Sequence, residues 1–302
     1  MLFKERKTSL ECALLKSLNN RMKLHVKDIQ YLRNLEKGDE GERYFDSLTG
    51  ALTCDCFVLN DLRLSCNNAT FQIDALIITG ETIYLFEVKN YKGDFYYERD
   101  RIFTKNNKSE INNPLLQVKR CESLFRQLIL SLGFNMPVSA SVVFVNPEFT
   151  LYQAPLSAPF IFPNQLKRYM KDLNAISAKL SGKHRRLAEK LSSLHIEESP
   201  FLHLPKYEYD QLRKGIVCDA CGSFSCALKG HAMICEDCGH AESVEAAVLR
   251  SVREFRMLFP ERKITTNDIF DWCRIVESKK RVSRILAKNF NKFRGGRWSY
   301  YE

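Results

Sequence analysis

Three residues able to do chemistry together fall in one apolar stretch, FQIDALIITGETIYLFEVKNYKG, residues 71–93. Asp74 interrupts its first apolar run and Glu87 its second, with Lys89 two positions further on. Read as two strands joined by a two-residue turn at Gly80-Glu81, with glycine first as a type II′ turn favours, the stretch pairs Thr79 with Thr82. Asp74 then faces Glu87 and Gln72 faces Lys89, with directly opposed Cβ atoms ~4.5–5.5 Å apart. Two carboxylates that close between apolar strands repel unless one keeps a proton or a cation lies between them. A hard divalent cation with oxygen ligands, Mg²⁺ first and Mn²⁺ second, turns the repulsion into a binding site. Lys89 shares a strand face with Glu87, so its ammonium can orient a water and offset developing negative charge. A lone Glu-x-Lys is commonly an ordinary salt bridge on a half-exposed strand. The facing Asp74 and the apolar flanks set this one apart.

The second constellation is CDACGSFSCALKGHAMICEDCG, with Cys218-x2-Cys221 and Cys235-x2-Cys238 separated by 13 residues. Each pair is followed by a glycine, Gly222 or Gly239. Four thiolates in two such knuckles suit tetrahedral Zn²⁺ with no open position, a structural site that stabilises a domain too small for its own core. His231, His240 and Cys226 are the alternative ligands, ranked below the quartet. The stretch resembles a zinc ribbon.

These side chains need elements to carry them. Residues 1–36 read as helices, with Leu14, Leu15 and Leu18, then Ile29, Leu32 and Leu35, at helical spacing. Gly38 is expected to break that run and a new helix to begin near Gly41. Strands follow through the opening hairpin and FYYE. The clearest helix spans 113–132, with Asn113 as cap, Pro114 in the first turn and Gly133 as terminator. VSASVVFVNP closes the set as a buried strand. Gln117 lies beside the apolar stripe of its helix, and Glu42 at the edge of the buried face of its own, so both can join the hairpin in a polar pocket.

Four motifs in order, KGDEGERYF, FQIDALIIT, FEVKNYKG and NNPLLQ, resemble the nuclease-related domain (NERD) family, over about residues 10–165. That family looks like a branch of the restriction-endonuclease-like superfamily. The resemblance implies an α/β fold with a mixed sheet flanked by helices. It also implies that Asp74 and Glu87 are Mg²⁺ (or Mn²⁺) ligands, completed by the Val88 carbonyl, and that Lys89 is the catalytic lysine. Glu42 would be the acidic residue of the first helix and Gln117 the polar residue of the later one. The implied reaction is metal-dependent hydrolysis of phosphodiester bonds.

The expected organisation is N-terminal helices at 1–36, a nuclease-related domain at 37–165 and a helical connector at 166–212. A zinc ribbon follows at 213–242 and a basic tail at 243–302. The tail reads as helices at 245–259, 267–276 and 278–290 and a hairpin around Gly295-Gly296, which resembles a winged helix by pattern. The net charge is +10. Residues 250–302 hold 14 Lys and Arg against 6 Asp and Glu, a surplus of 8. That block suits a polyanion, DNA first. Lys279, Lys280, Arg281, Arg284, Lys288, Arg294 and Arg297 are the candidate contacts. The N-terminus has no secretory apolar core and no run spans a membrane, so a reducing, cytoplasmic setting is expected for the 11 cysteines. A metal-dependent nuclease targeted by ribbon and tail is the leading expectation. A non-catalytic nucleic-acid-binding regulator, or an adaptor, on a nuclease-like scaffold is the alternative.

Overall fold

The computed structural model describes residues 1–197, 202–274, 276, 278–295 and 298–302. Two compact units divide the chain: Met1–Thr8 with Arg33–Phe201, and Ser9–Leu32 with Leu202–Glu302. No described helix is long and apolar enough to cross a membrane.

The first unit is mixed α/β. Its main sheet takes the order β1 (Leu2–Lys4), β2 (Phe57–Cys66), β3 (Ala69–Ile78), β4 (Ile83–Lys89), β8 (Val138–Phe144) and β10 (Phe160–Ile161). The β2-β3-β4 run is antiparallel, while β1, β8 and β10 join as parallel strands. A smaller sheet has the order β7 (Glu110–Ile111), β6 (Arg101–Thr104), β5 (Gly93–Glu98) and β9 (Phe149–Tyr152). Side-chain alternation sends Phe71, Ile73, Leu85 and Val142 into a core with α3 (Pro114–Ser131) and α5 (Gly182–Ser193). Ile77, Phe86, Val88 and Val143 go to a second core with α2 (Val26–Gly50) and α4 (Leu166–Asn174). Helices thus cover both faces, as a sheet with parallel strands requires. α4 and α5, expected as a connector, belong to these cores.

The expected break at Gly38 does not occur: α2 runs unbroken through Gly38 and Gly41. The reason is close packing. A Cβ on Gly41 would stand 2.5 Å from Asn90 Cβ and 3.2 Å from Val145 Cγ2. Glycine costs a helix interior roughly 1 kcal/mol against alanine, and burial of Phe45, edge-on to Phe86 at 5.2 Å, offsets it.

The hairpin register is as expected from Ile78 opposite Ile83 to Ala75 opposite Phe86, but the ladder stops there, and the expected Asp74–Glu87 and Gln72–Lys89 pairs are not part of it. The turn is not type II′, because Gly80 is absent from the glycines with positive φ. Glycine is required there for room instead: a Cβ would meet the Lys179 carbonyl oxygen at 2.6 Å.

The second unit joins α1 (Leu10–Arg21) to the C-terminal third, so the N-terminal helices do not form a segment of their own. Its core gathers Leu14 and Leu18 of α1 with Phe255, Trp272, Val282 and Leu286. These last four come from α6 (Val244–Leu258), α7 (Thr266–Cys273) and α8 (Lys279–Asn289). α7 stops three residues before its expected end, where Arg274 takes φ 50°. A three-stranded sheet, β11 (Cys226–Lys229), β12 (Ala232–Cys235) and β13 (Ala241–Ser243), precedes α6. A hairpin, β14 (Lys292–Gly295) and β15 (Trp298–Tyr301), follows α8, and Ile264 bridges to Tyr301.

Candidate active site and metal centre

The site forms where the main sheet splits. On β3, Phe71 and Ile73 face the same core as Leu76 and Ile78, so the alternation changes phase at Asp74-Ala75. On β2 the same change falls between Leu59 and Leu62, where Asp61 takes φ 53°. The β3–β4 ladder ends at Ala75 and Phe86. Just beyond it, Asp74 turns in and its Oδ2 accepts a hydrogen bond from the Val88 N–H at 2.7 Å. The carboxylate thus takes over a donor that the departing strand no longer satisfies.

Glu42, Asp74, Glu87, Val88, Lys89 and Gln117 all line one cavity of about 540 Å³. α2 supplies Glu42 and β4 supplies Glu87 and Lys89. α3 supplies Gln117 from its first turn, fixed by the Asn113 side chain, which accepts from Leu115 N at 3.0 Å. Asp74 and Glu87 are 7% and 2% exposed. Lys89 Nζ lies 2.6 Å from Glu87 Oε1 and donates to Gln117 Oε1 at 3.3 Å.

Sequence reasoning missed Arg6, Asn90 and Tyr91. The Arg6 guanidinium is buried, pairs with Glu42, donates to Asp46 Oδ2 at 2.8 Å and reaches the Asp74 carbonyl oxygen at 2.7 Å. No local pattern marks it, because its partners lie 36 to 68 residues away. Asn90 and Tyr91 line the cavity and directly follow Lys89 in FEVKNYKG, a signal that was available. Asn90 is fixed on both ends, donating to the Lys37 carbonyl at 2.8 Å and accepting from Asn146 at 3.0 Å.

Burial pushes the Glu87 carboxyl up to about 8, helped by Asp74 and opposed by Lys89. Burial and Asp74 likewise push Glu42 up to about 8 against the pull of Arg6. Burial also raises Asp74. Burial alone would lower Lys89, but Glu87, Tyr91 and Asp74 hold it above the usual lysine value, so its ammonium stays charged. The cavity therefore gathers three carboxyl groups, Glu42, Asp74 and Glu87, where burial disfavours their charge, a cost that a hard cation bound between them would relieve. Among the described residues, three carboxylate ligands do not converge here as closely as the cysteines do, since Glu42 is drawn to Arg6 and Glu87 to Lys89. Two carboxylates and a carbonyl suit Mg²⁺, which keeps several waters.

The cysteine quartet does converge. The Sγ atoms of Cys218, Cys221, Cys235 and Cys238 all lie within 4.8 Å of one another. Cys218 and Cys238 are 3.7 Å apart and Cys221 and Cys235 3.6 Å. Ligands ~2.3 Å from a tetrahedral zinc stand ~3.8 Å apart, so the quartet fits Zn²⁺. Gly222 and Gly239 take φ 73° and 74°, and their N–H groups return to the Cys218 and Cys235 carbonyls at 3.0 and 2.9 Å. Each knuckle needs glycine for that turn. Cys226 and His240 lie outside the group, and His231 meets Arg281 at 3.3 Å instead.

Of the basic candidates, Lys279, Lys280, Arg284 and Arg294 are exposed. Two others have partners within the unit: Arg281 donates to the Gly230 carbonyl at 3.0 Å, and Lys288 pairs with Glu245 at 2.9 Å. Arg297 lies outside the described residues.

Residues 37–145 match the family model of the nuclease-related domain, and the chain carries that domain. The match begins in α2 and ends just after β8, taking in every residue of the carboxylate cavity except Asn34. No curated protein and no solved structure matches the chain.

Proposed function

We propose that the protein is a metal-dependent nuclease, with DNA the favoured substrate, whose zinc ribbon and basic tail bind the nucleic acid. One observation carries the reading: buried Asp74 and Glu87, from strands that have just parted, share a cavity with a charged lysine. Asp74 Oδ1, Glu87 and the Val88 carbonyl would hold Mg²⁺ or Mn²⁺. When bound, that cation supplies an activated water and a Lewis acid at the phosphate. The chain does the rest. Asp74 and Val88 are locked to each other by the 2.7 Å hydrogen bond, which fixes two ligands in one geometry. Lys89 presents an ammonium to the phosphate oxygens, and Gln117 at 3.3 Å steadies it. Glu42, held by Arg6, adds the acidic wall that orients water. The order α6, Ile264 bridge, α7, α8 and hairpin supports a winged-helix reading of the tail, in which exposed α8 cations contact phosphates.

The test is purified protein with supercoiled, linear and single-stranded DNA and with RNA, with and without Mg²⁺ or Mn²⁺, beside Glu87→Ala. Cation-dependent cleavage lost in Glu87→Ala is the expected result. Cleavage unchanged in the variant would overturn the assignment. Binding of all substrates with cleavage of none would assign the domain to a regulator's scaffold.

A further inference from the structure

The smaller sheet carries a feature that the carboxylate cavity does not use. Phe95, Tyr97, Ile102, Ile111 and Leu151 point from it into the core. Alternation therefore puts their neighbours on the other face. There the registers line up one row: Tyr152 of β9 opposite Tyr96 of β5, and Tyr96 opposite Phe103 of β6. None of the three belongs to a core cluster, and Tyr152 is 44% exposed. The Tyr96 and Phe103 rings stack at 5.2 Å and 18°. Lys105 Nζ lies 4.5 Å from the centre of the Tyr152 ring, and Lys108 is exposed on the same β6–β7 turn. Three aromatic rings thus lie abreast on one sheet face, Tyr96 and Phe103 half-buried and Tyr152 exposed. Lys105, 3.7 Å from Asp94, stands at the Tyr152 end, and Glu110 lies opposite Phe103 at the other. The row offers stacking surface to bases and one cation to a phosphate.

The row is also well placed. Tyr91 lines the cavity, and Tyr96 follows it by five residues, at most ~18 Å of extended chain.

We infer that the Tyr152-Tyr96-Phe103 row is a base-stacking platform for single-stranded nucleic acid leading to the carboxylate cavity. The inference rests on the nuclease reading for its direction, while its binding is measurable without cleavage. Stacking on an aromatic ring is worth ~1–3 kcal/mol per base, ~5-fold or more in affinity for each ring lost.

Full-length Glu87→Gln protein with its zinc, in buffer lacking divalent cations, is titrated with a fluorescent oligothymidylate and with a duplex of equal length. Tyr96→Leu and Phe103→Leu keep apolar bulk but remove the aromatic face. Each is expected to weaken single-strand binding about 5-fold or more and to leave duplex binding within about 2-fold, while Tyr96→Phe keeps both. Unchanged single-strand affinity would overturn the platform. Equal loss on both substrates would also overturn it, as a general effect of folding or charge. Absence of cleavage by the unmodified protein would sink the nuclease reading and leave this result standing.

Discussion

At the scale of single residues, the cavity is a store of protons. Glu42 and Glu87 titrate near 8 in the native chain, against 4.5 for a free glutamate. Between those values the folded state holds protons that the unfolded chain has released. Their contribution to stability is therefore full below about pH 4.5 and is lost as pH rises through about 8. A divalent cation reverses the balance by taking the protons' place. Mn²⁺ should raise the melting temperature more at about pH 8.5 than at about pH 6, and its binding near neutrality should release protons in calorimetry across buffers of different ionisation enthalpy. A shift independent of pH would mean that the cation binds elsewhere. Arg6 belongs to the same scale. Arg6→Met leaves Glu42 and Asp46 facing each other without their cation, and a broken buried pair costs ~3–5 kcal/mol. Urea unfolding of the variant should record a loss of that order.

Elements explain why Asp74, Glu87 and Lys89 were legible in the sequence and Arg6 was not. A strand repeats every two residues, so the turn position at Gly80-Glu81 sets the register as far as Ala75 and Phe86, and Asp74 and Glu87 come next along their strands, just past the end of that ladder. The splay at Asp74, the phase change opposite Asp61 and the grip of Arg6 depend on partners far along the chain, which no short pattern encodes. The glycines of α2 mislead for the same reason. Gly38 and Gly41 are three residues apart and look alike in sequence, yet a Cβ would have neighbours within 4 Å only at Gly41. Gly38→Ala should leave stability unchanged or raise it by up to ~1 kcal/mol. Gly41→Ala forces a methyl onto Asn90 and Val145 and should cost ~1–3 kcal/mol. Thermal denaturation of the two variants side by side separates helix propensity from packing; equal effects would remove packing as the reason for Gly41.

At the scale of the whole chain, each unit has its own apolar core, and the N-terminal segment misleads because its contacts are remote. α1 is amphipathic in either assignment, but Arg21 pairs with Glu254, 233 residues on, and lies over the Trp272 ring at 3.9 Å. The zinc knuckles were legible because cysteine spacing and the two glycines are local. The strands of their ribbon are only three or four residues long and bury just Met233 and Cys235, the latter itself one of the quartet, too little apolar burial for those strands to hold without metal. One zinc per chain is expected by elemental analysis of protein purified under reducing conditions. Chelation, or Cys221→Ser, should lower the melting of the second unit and weaken DNA binding by the tail. The first unit, whose core owes nothing to the metal, should keep its transition and its Mn²⁺-induced shift. Calorimetry of the intact chain reads both. A chelator that lowers the two transitions equally would show that the cores do not unfold independently, and protein without zinc would end the four-thiolate assignment.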